Sequence, residues 1–291
     1  MSKQPKDIKI LDLGFHPYAD TFLRKDQLNI SEPVYQLSCY LSKKTGVIRN
    51  GIKTDADSRY NLYDYSYTSS NSSYSKNYWE QYAKNLSQEL NITDNFKILE
   101  IGSNDGYLLK CFKKYTSKTW GVDASKLMCD LSKKNSIKTL NLIFNLKNSK
   151  KIKKKVGKFD VIISNNVLNH SDDVINFISG VKHLLNKNGS FIFELPYWYN
   201  LVLNEQFDQI YHEHVNYFTV KSSNFYLKKC GFQITKIEET NYHGGCIRVY
   251  AKVGSDTKSN SLIKNYIDKE NRLGLFKEKN YKKIMKNLNK K

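Results

Sequence analysis

Lys97-Ile98-Leu99-Glu100-Ile101-Gly102-Ser103-Asn104-Asp105-Gly106-Tyr107-Leu108-Leu109 is the stretch that decides the fold class of this chain. A short apolar run ends in a glycine turn, and the turn opens a helix carried by Leu108, Leu109 and Phe112. Gly102 and Gly106 let the backbone approach a ligand closely at the carboxyl edge of a sheet, where open α/β folds bind cofactors. The spacing is not the GxGxxG of a dinucleotide site, and the chain has no GKS or GKT of a P-loop.

Outward from that turn the signals alternate. Thr119 to Asp123 reads as a second strand, followed by a helix through Leu127, Met128 and Leu131. Phe159 to Ser164 is a third strand, apolar through its middle, and Val174 to Leu185 an amphipathic helix ended by Asn186 to Gly189. Ser190 to Leu195, Phe232 to Glu238 and Cys246 to Ala251 complete the strands, with a helix over Ser222 to Cys230. Upstream, Trp79, Tyr82, Ala83, Leu86 and Leu90 follow helical spacing. Strands alternating with helices of these lengths predict an α/β fold, a mostly parallel sheet covered on both faces. Residues 1–90 form an N-terminal appendage with a tyrosine-rich segment at 54–75, 91–254 the α/β domain, and 255–291 a lysine-rich helical tail.

Composition narrows the partners. The net charge of +19 invites nucleic acid, yet only Arg24, Arg49, Arg59, Arg248 and Arg272 of the 47 basic residues are arginine. Arginine supplies the planar fork that reads phosphates and guanine edges, so its scarcity weighs against a nucleic-acid partner. The lysine run Lys150-Lys151-Ile152-Lys153-Lys154-Lys155 reads as a solvated loop between elements. No apolar run of about 18 residues is present, which excludes a membrane-spanning helix. A polar start at Met1 to Lys9 and five scattered cysteines without a CxxC pair predict a cytoplasmic, reduced protein without a disulfide framework.

Two acids and an amide pair surround the glycine turn. Glu100 lies on the first strand, Asp123 ends the second, and Asn165-Asn166 follow the third. A carboxylate in the place of Asp123 accepts both hydroxyls of a ribose. This arrangement resembles motifs I and II of class I S-adenosylmethionine (SAM) methyltransferases. The resemblance implies a Rossmann-like core, SAM as cofactor, and cofactor contacts from Glu100, Gly102, Ser103, Asn104, Gly106, Asp123, Asn165 and Asn166.

The segment Phe207-Asp208-Gln209-Ile210-Tyr211-His212-Glu213-His214-Val215-Asn216-Tyr217-Phe218 is chemically dense. Two histidines, a glutamate and a tyrosine within four positions suit acid–base catalysis, because imidazole titrates near neutrality. A His-x-His metal pair and a purely structural pair are the competing readings. His170, just after the third strand, falls at the sheet edge that carries the glycine turn. Arg248 follows the Gly244-Gly245 turn and pairs either a diphosphate or a buried carboxylate.

Together with Tyr65-Ser66-Tyr67-Thr68-Ser69-Ser70, Asn165 to His170 and His243 to Tyr250, that segment resembles the sugar C-methyltransferases that act on nucleotide-linked 4-keto-deoxysugars. The resemblance spans roughly residues 10 to 275. It implies a nucleotide-linked sugar as substrate, with His214 as the base that removes a proton next to a ketone. Tyr211, Glu213 and His170 then position the sugar or stabilise the enolate, and Tyr65, Tyr67, His243 and Arg248 bind substrate. An O-methyltransferase of a sugar or glycan is the nearest alternative, since His214 can equally deprotonate a hydroxyl. An RNA methyltransferase and a non-catalytic relic are more distant ones. Members of the family carry a four-cysteine zinc module, one pair of which aligns with Ser42 and Thr45 here. Hydroxyls do not replace thiolates on structural zinc, so no metal is expected. They also carry a further Rossmann-like domain after the region matching Ser255 to Lys291.

Overall fold

The computed structural model describes residues 7–19, 23–52, 67–254 and 260–288. Its centre is a seven-stranded sheet built from β4 (Ile98–Ile101), β5 (Thr119–Asp123), β6 (Lys138–Asn141), β7 (Phe159–Asn165), β8 (Leu185–Pro196), β10 (Phe232–Thr240) and β11 (Cys246–Val253). The spatial order is β10-β11-β8-β7-β4-β5-β6. Neighbours from β8 to β6 are parallel, and β11 runs antiparallel to both of its partners. This is the α/β, mostly parallel architecture that the alternation of elements predicts.

Period-two burial explains the two covered faces. Ile98 points to one side of β4 with Val161 and Ile163 of β7, where α1 (Ser73–Glu89) and α2 (Tyr107–Phe112) contribute Trp79, Tyr82, Leu86, Leu109 and Phe112. Leu99 and Ile101 point to the other, with Ile162, Phe191 and Phe193. There α5 (Val174–Leu184) and α7 (Val220–Lys229) supply Phe177, Ile178, Val181 and Leu227. The helix starts carry the expected hydroxyl or carboxylate caps: Ser72 accepts from the Ser75 amide, Asp173 from Asn176 and Thr219 from Ser222.

Two elements depart from the sequence reading. The lysine run belongs to helix α4 (Leu146–Val156), not to a loop. Ser149 and Ile152 are buried while Lys150, Lys151, Lys153, Lys154 and Lys155 are exposed, so one narrow buried stripe is enough to hold the helix. The short edge strand β6 was too polar, as Lys-Thr-Leu-Asn, to stand out. Helix α3 (Lys126–Lys134) connects β5 to it.

A second, antiparallel sheet has the order β1-β2-β3-β9, from β1 (Ile8–His16), β2 (Tyr35–Leu41), β3 (Ile48–Asn50) and β9 (Asn216–Tyr217). Its core joins three distant parts of the chain: Leu11, Leu41 and Ile48, then Trp198 of α6 (Trp198–Leu203) and Tyr217, then Leu275 and Tyr281. The tail forms α8 (Asn260–Leu273) and α9 (Glu278–Leu288), and Tyr281 accepts the Trp198 indole N–H at 2.8 Å. Among the described residues no helix is long and apolar enough to cross a membrane.

Candidate active site

The carboxyl ends of β4, β5 and β7 open into a cavity of about 500 Å³, within the range of small-molecule sites. Gly102 turns the chain there with φ +72°. A Cβ at this position would collide with the Val167 side chain, so the turn needs glycine for both conformation and space. Asn104 and Asn166, also on the cavity wall, have φ +50° and +53°. Left-handed non-glycine residues on a wall of this kind mark a backbone shaped by function.

Asp123 is held by two backbone donors, the Asn104 N–H at 2.8 Å and the Ser125 N–H at 2.9 Å. Burial, opposed by those two bonds, pushes its carboxyl up to about 6. Glu100 is driven well above the usual carboxylate range by burial and by the nearby Asp105 and Asp123. Glu100 Oε2, Asn165 Nδ2 and Asn166 Oδ1 are buried without a hydrogen-bond partner among the described residues. Orphaned polar groups on a cavity wall are placed to bind a ligand or a water there.

Of the sequence-predicted cofactor residues, Glu100, Gly102, Asn104, Asp123, Asn165 and Asn166 line the cavity. Ser103 and Gly106 do not. Ser103 is buried with its hydroxyl against Gly121, and a Cβ at Gly106 would meet Ser132 and Ile137 behind the loop. Gly106 therefore serves the packing of α2 on α3 rather than ligand contact. Sequence reasoning missed Asp105, whose carboxylate accepts from Ser69 Oγ at 2.5 Å and from the Ser70 N–H and hydroxyl. Asn104 adds bonds to the Ser69 N–H and the Tyr67 carbonyl, so the loop docks residues 67–70 over the cavity. It also missed the wall formed by Leu142, Phe144 and Asn145, although the apolar Leu142-Ile143-Phe144 run after a polar strand was a visible signal.

The other half of the cavity gathers Tyr67, His170, Gln209, Tyr211, His214 and His243. His170 sits in a 3-10 turn at Leu168–His170 and meets the His214 ring edge-on, centroids 4.9 Å apart. His214 Nδ1 lies 2.9 Å from the Gln209 carbonyl oxygen and Nε2 lies 2.7 Å from the Tyr211 hydroxyl. Since a carbonyl only accepts, Nδ1 carries the proton and Nε2 presents its lone pair. Burial pushes the imidazole down to about 3 and keeps it neutral. The Tyr211 backbone is pinned by the Tyr217 hydroxyl at 3.2 Å and by Asn50 Nδ2 at 3.3 Å. Asn216 Nδ2 donates to the Ser171 carbonyl at 2.7 Å, tying β9 to the His170 turn. The second sheet thus positions the segment that carries Tyr211 and His214. His243 enters on a left-handed backbone, φ +46°, beside Tyr67.

Three predicted residues stand apart. Arg248 is buried and spent on Glu194, its register partner across β8 and β11, through Nε at 2.9 Å and Nη2 at 2.8 Å. It also meets the Tyr78 hydroxyl and covers the Tyr82 ring at 3.9 Å. Of the two expected partners the buried carboxylate is the one this geometry provides, and Arg248 does not line the cavity. Glu213 is buried outside the cavity lining. Tyr65 lies outside the described residues. His212, next in the chain, turns away from the cavity: its Nε2 faces the Tyr35 carbonyl at 3.2 Å and its ring packs on Tyr18 and Tyr35. Residues 211–213 form a bend and turn rather than a strand, so no strict alternation separates the two histidines. Ser42 and Thr45 close a tight turn, the Ser42 carbonyl accepting from Gly46 and Thr45 Oγ1 from Val47. Among the described residues no group of three or more His, Cys, Asp or Glu is placed to hold a metal ion.

The family model for the methyltransferase domain matches residues 74–237, just over half of the chain. The C-methyltransferase NovU of Streptomyces niveus is 28% identical over 164 residues, 56% of this chain and 39% of that protein. The ubiquinone biosynthesis O-methyltransferase of Pelagibacter ubique is 32% identical over 96 residues, 33% of this chain and 40% of that protein. These matches span about two-fifths of the length of either relative. Among solved structures, magnesium protoporphyrin IX methyltransferase (ChlM) from Synechocystis PCC 6803 with bound SAH aligns over 62% of this chain and 83% of that one, at 15% identity and a TM-score of 0.48. The chain belongs to the methyltransferase-domain family. It carries a methyltransferase domain over residues 74–237. The orphaned polar atoms, the Gly102 turn and the buried acids fit an adenosyl group bearing a cationic sulfonium.

Proposed function

We propose that the protein methylates a carbon next to a ketone on a nucleotide-activated deoxysugar, through an enolate. The observation that carries this reading is a neutral, buried His214 paired with Tyr211 in the same cavity as the Gly102 loop. The bound cofactor supplies an electrophilic methyl group on a good leaving group. What remains for the protein is to make and hold the nucleophile. The proton next to the ketone ends on His214. Burial keeps its Nε2 unprotonated across the neutral range, and the bond to Tyr211 aims that lone pair. His170, Tyr67 and His243 surround the acceptor and donate to the developing enolate oxygen. A preorganised donor in that role is worth ~3–4 kcal/mol. No lysine or arginine lines the cavity among the described residues. The cavity therefore suits an uncharged acceptor such as a sugar ring.

A second reading, methylation of a hydroxyl, is favoured by the similarity to ubiquinone biosynthesis O-methyltransferases. Deuterium exchange separates the two. A nucleotide-linked 4-keto-2,6-dideoxyhexose incubated in heavy water with enzyme and without SAM loses the proton next to its ketone only if the carbon chemistry operates. Methyl transfer to a sugar hydroxyl without any such exchange would replace the first reading by the second.

A further inference from the structure

We propose that Tyr211 is the residue that touches the acceptor and takes its proton, and that His214 acts through it. This rests on the methyltransferase reading of the cavity and adds the route by which the proton leaves. The geometry is specific. Tyr211 is partly exposed on the cavity wall, whereas His214 is only 3% exposed beside it. Both ring nitrogens of His214 are already committed, Nδ1 to the Gln209 carbonyl and Nε2 to the Tyr211 oxygen. The only lone pair on the imidazole therefore points at the phenol, not at open cavity. The rings lie together with centroids 4.0 Å apart, and the His170 ring stands perpendicular to that of His214 at 4.9 Å. A direct contact between His214 Nε2 and an acceptor would have to break the bond to Tyr211 first.

The relay balances without any further reactant. The acceptor C–H bond, or O–H bond, breaks and its electron pair stays on the acceptor as enolate or alkoxide. The proton passes to the Tyr211 oxygen as the phenolic proton moves onto His214 Nε2, so the phenol ends neutral and the imidazole cationic. A sulfonium donor held in the cavity would lose its charge when the methyl group leaves it. Over a whole turnover the positive charge gained on His214 would then be matched by the one lost from the donor. Conserving net charge in a buried site avoids the cost of an added, unpaired ion. The Gln209 carbonyl stabilises the imidazolium from behind, and Tyr217 and Asn50 keep the Tyr211 backbone in place.

Two measurements on the full chain test this. Nitrogen-15 NMR of histidine-labelled protein at pH 7, with His214 assigned by its loss in His214→Asn, should show a protonated Nδ1 and a bare Nε2, and Tyr211→Phe should shift the Nε2 resonance. An Nε2-protonated His214 overturns the relay regardless of substrate. Exchange at the proton next to the ketone of the nucleotide-linked 4-keto-2,6-dideoxyhexose is then compared for Tyr211→Phe, His214→Asn and the double variant, each checked for unchanged SAM affinity. A relay acting as one unit loses ~10²–10⁴-fold in either single variant and no more in the double. Exchange that survives Tyr211→Phe but not His214→Asn, or losses that multiply in the double variant, overturns the proposal. If the wild type exchanges nothing, the carbon reading fails. The same three variants are then compared by methyl transfer to the 4-hydroxy form of that sugar nucleotide, with the same two criteria.

Discussion

The backbone N–H of Asn104 donates to the Asp123 carboxylate at 2.8 Å, so the glycine loop after β4 and the acid that ends β5 are one structural unit. The Ser125 N–H takes the other carboxylate oxygen, which leaves the remaining lone pairs of both oxygens for a ribose. Asp123→Asn keeps the shape and one acceptor oxygen but loses the charge. A charge-assisted hydrogen bond is worth ~1.5–3 kcal/mol, so calorimetry should show SAM bound roughly 10- to 150-fold more weakly. Unchanged affinity would take Asp123 out of the site.

The same residue makes cofactor binding pH-dependent. Burial raises Asp123 to about 6, so its carboxylate is ionised above that pH and protonated below it. SAM affinity should therefore fall as pH drops from 7.5 through 6, and the neutral product SAH should show a shallower slope. Equal slopes for the two ligands would mean that the charge of Asp123 is not felt by the sulfonium.

Gly102→Val combines a positive φ with a collision against Val167. A β-branched residue is excluded from that backbone region, so SAM binding should be lost even if the fold survives. Retention of binding in a folded variant would show that the loop does not hold the cofactor.

Arg248 and His212 are fold residues in this structure, and their variants separate stability from turnover. Arg248→Ala leaves the Glu194 carboxylate buried without its partner. Breaking a buried pair of this kind costs ~3–5 kcal/mol, read as a lower denaturation midpoint. His212→Ala removes a ring packed on Tyr18 and Tyr35 and lowers stability while turnover per folded molecule stays near wild type. Loss of turnover in stable His212→Ala, with His214→Asn still active, would move the base to His212.

Glu270 of α8 accepts from the Val220 and Lys221 amides and the Tyr197 hydroxyl, latching the tail to the start of α7. Burial raises it from 4.5 to about 7. A carboxyl that is raised on folding binds more protons in the native state, so its contribution is full below 4.5 and is lost as pH climbs to 7. Thermal melts across that window should fall with pH in the wild type, and the fall should be shallower in Glu270→Gln. An identical slope would show that Glu270 does not titrate in this range.

The central sheet was legible because its strands are apolar runs and its loops carry glycine or asparagine at the turns. The second sheet was not, since β3 and β9 have only three and two residues and pair across the chain as Ile48 with Tyr217. Nothing local in either segment announces that contact. The tail was weakly periodic for the same reason: Tyr281 finds its partners on α6 and in the Leu275 turn. At the site, Gly102, Asp123 and Asn166 stood out in local pattern, whereas His214 was told apart from His212 only by the resemblance of its segment to a known family. Asp105 did not, because its partners Ser69 and Ser70 lie 36 and 35 positions away in the chain. Arg248 read ambiguously until Glu194 appeared beside it on the neighbouring strand.

The most direct test of the account is proton exchange in His214→Asn. The variant keeps a hydrogen-bonding side chain of similar size but offers no basic nitrogen at neutral pH. With a nucleotide-linked 4-keto-2,6-dideoxyhexose in heavy water, the wild type should exchange the proton next to the ketone. The variant should do so ~10²–10⁴-fold more slowly, with SAM affinity preserved. Exchange at the wild-type rate in a variant that still binds SAM would contradict the assignment of this cavity's base and the carbon chemistry built on it.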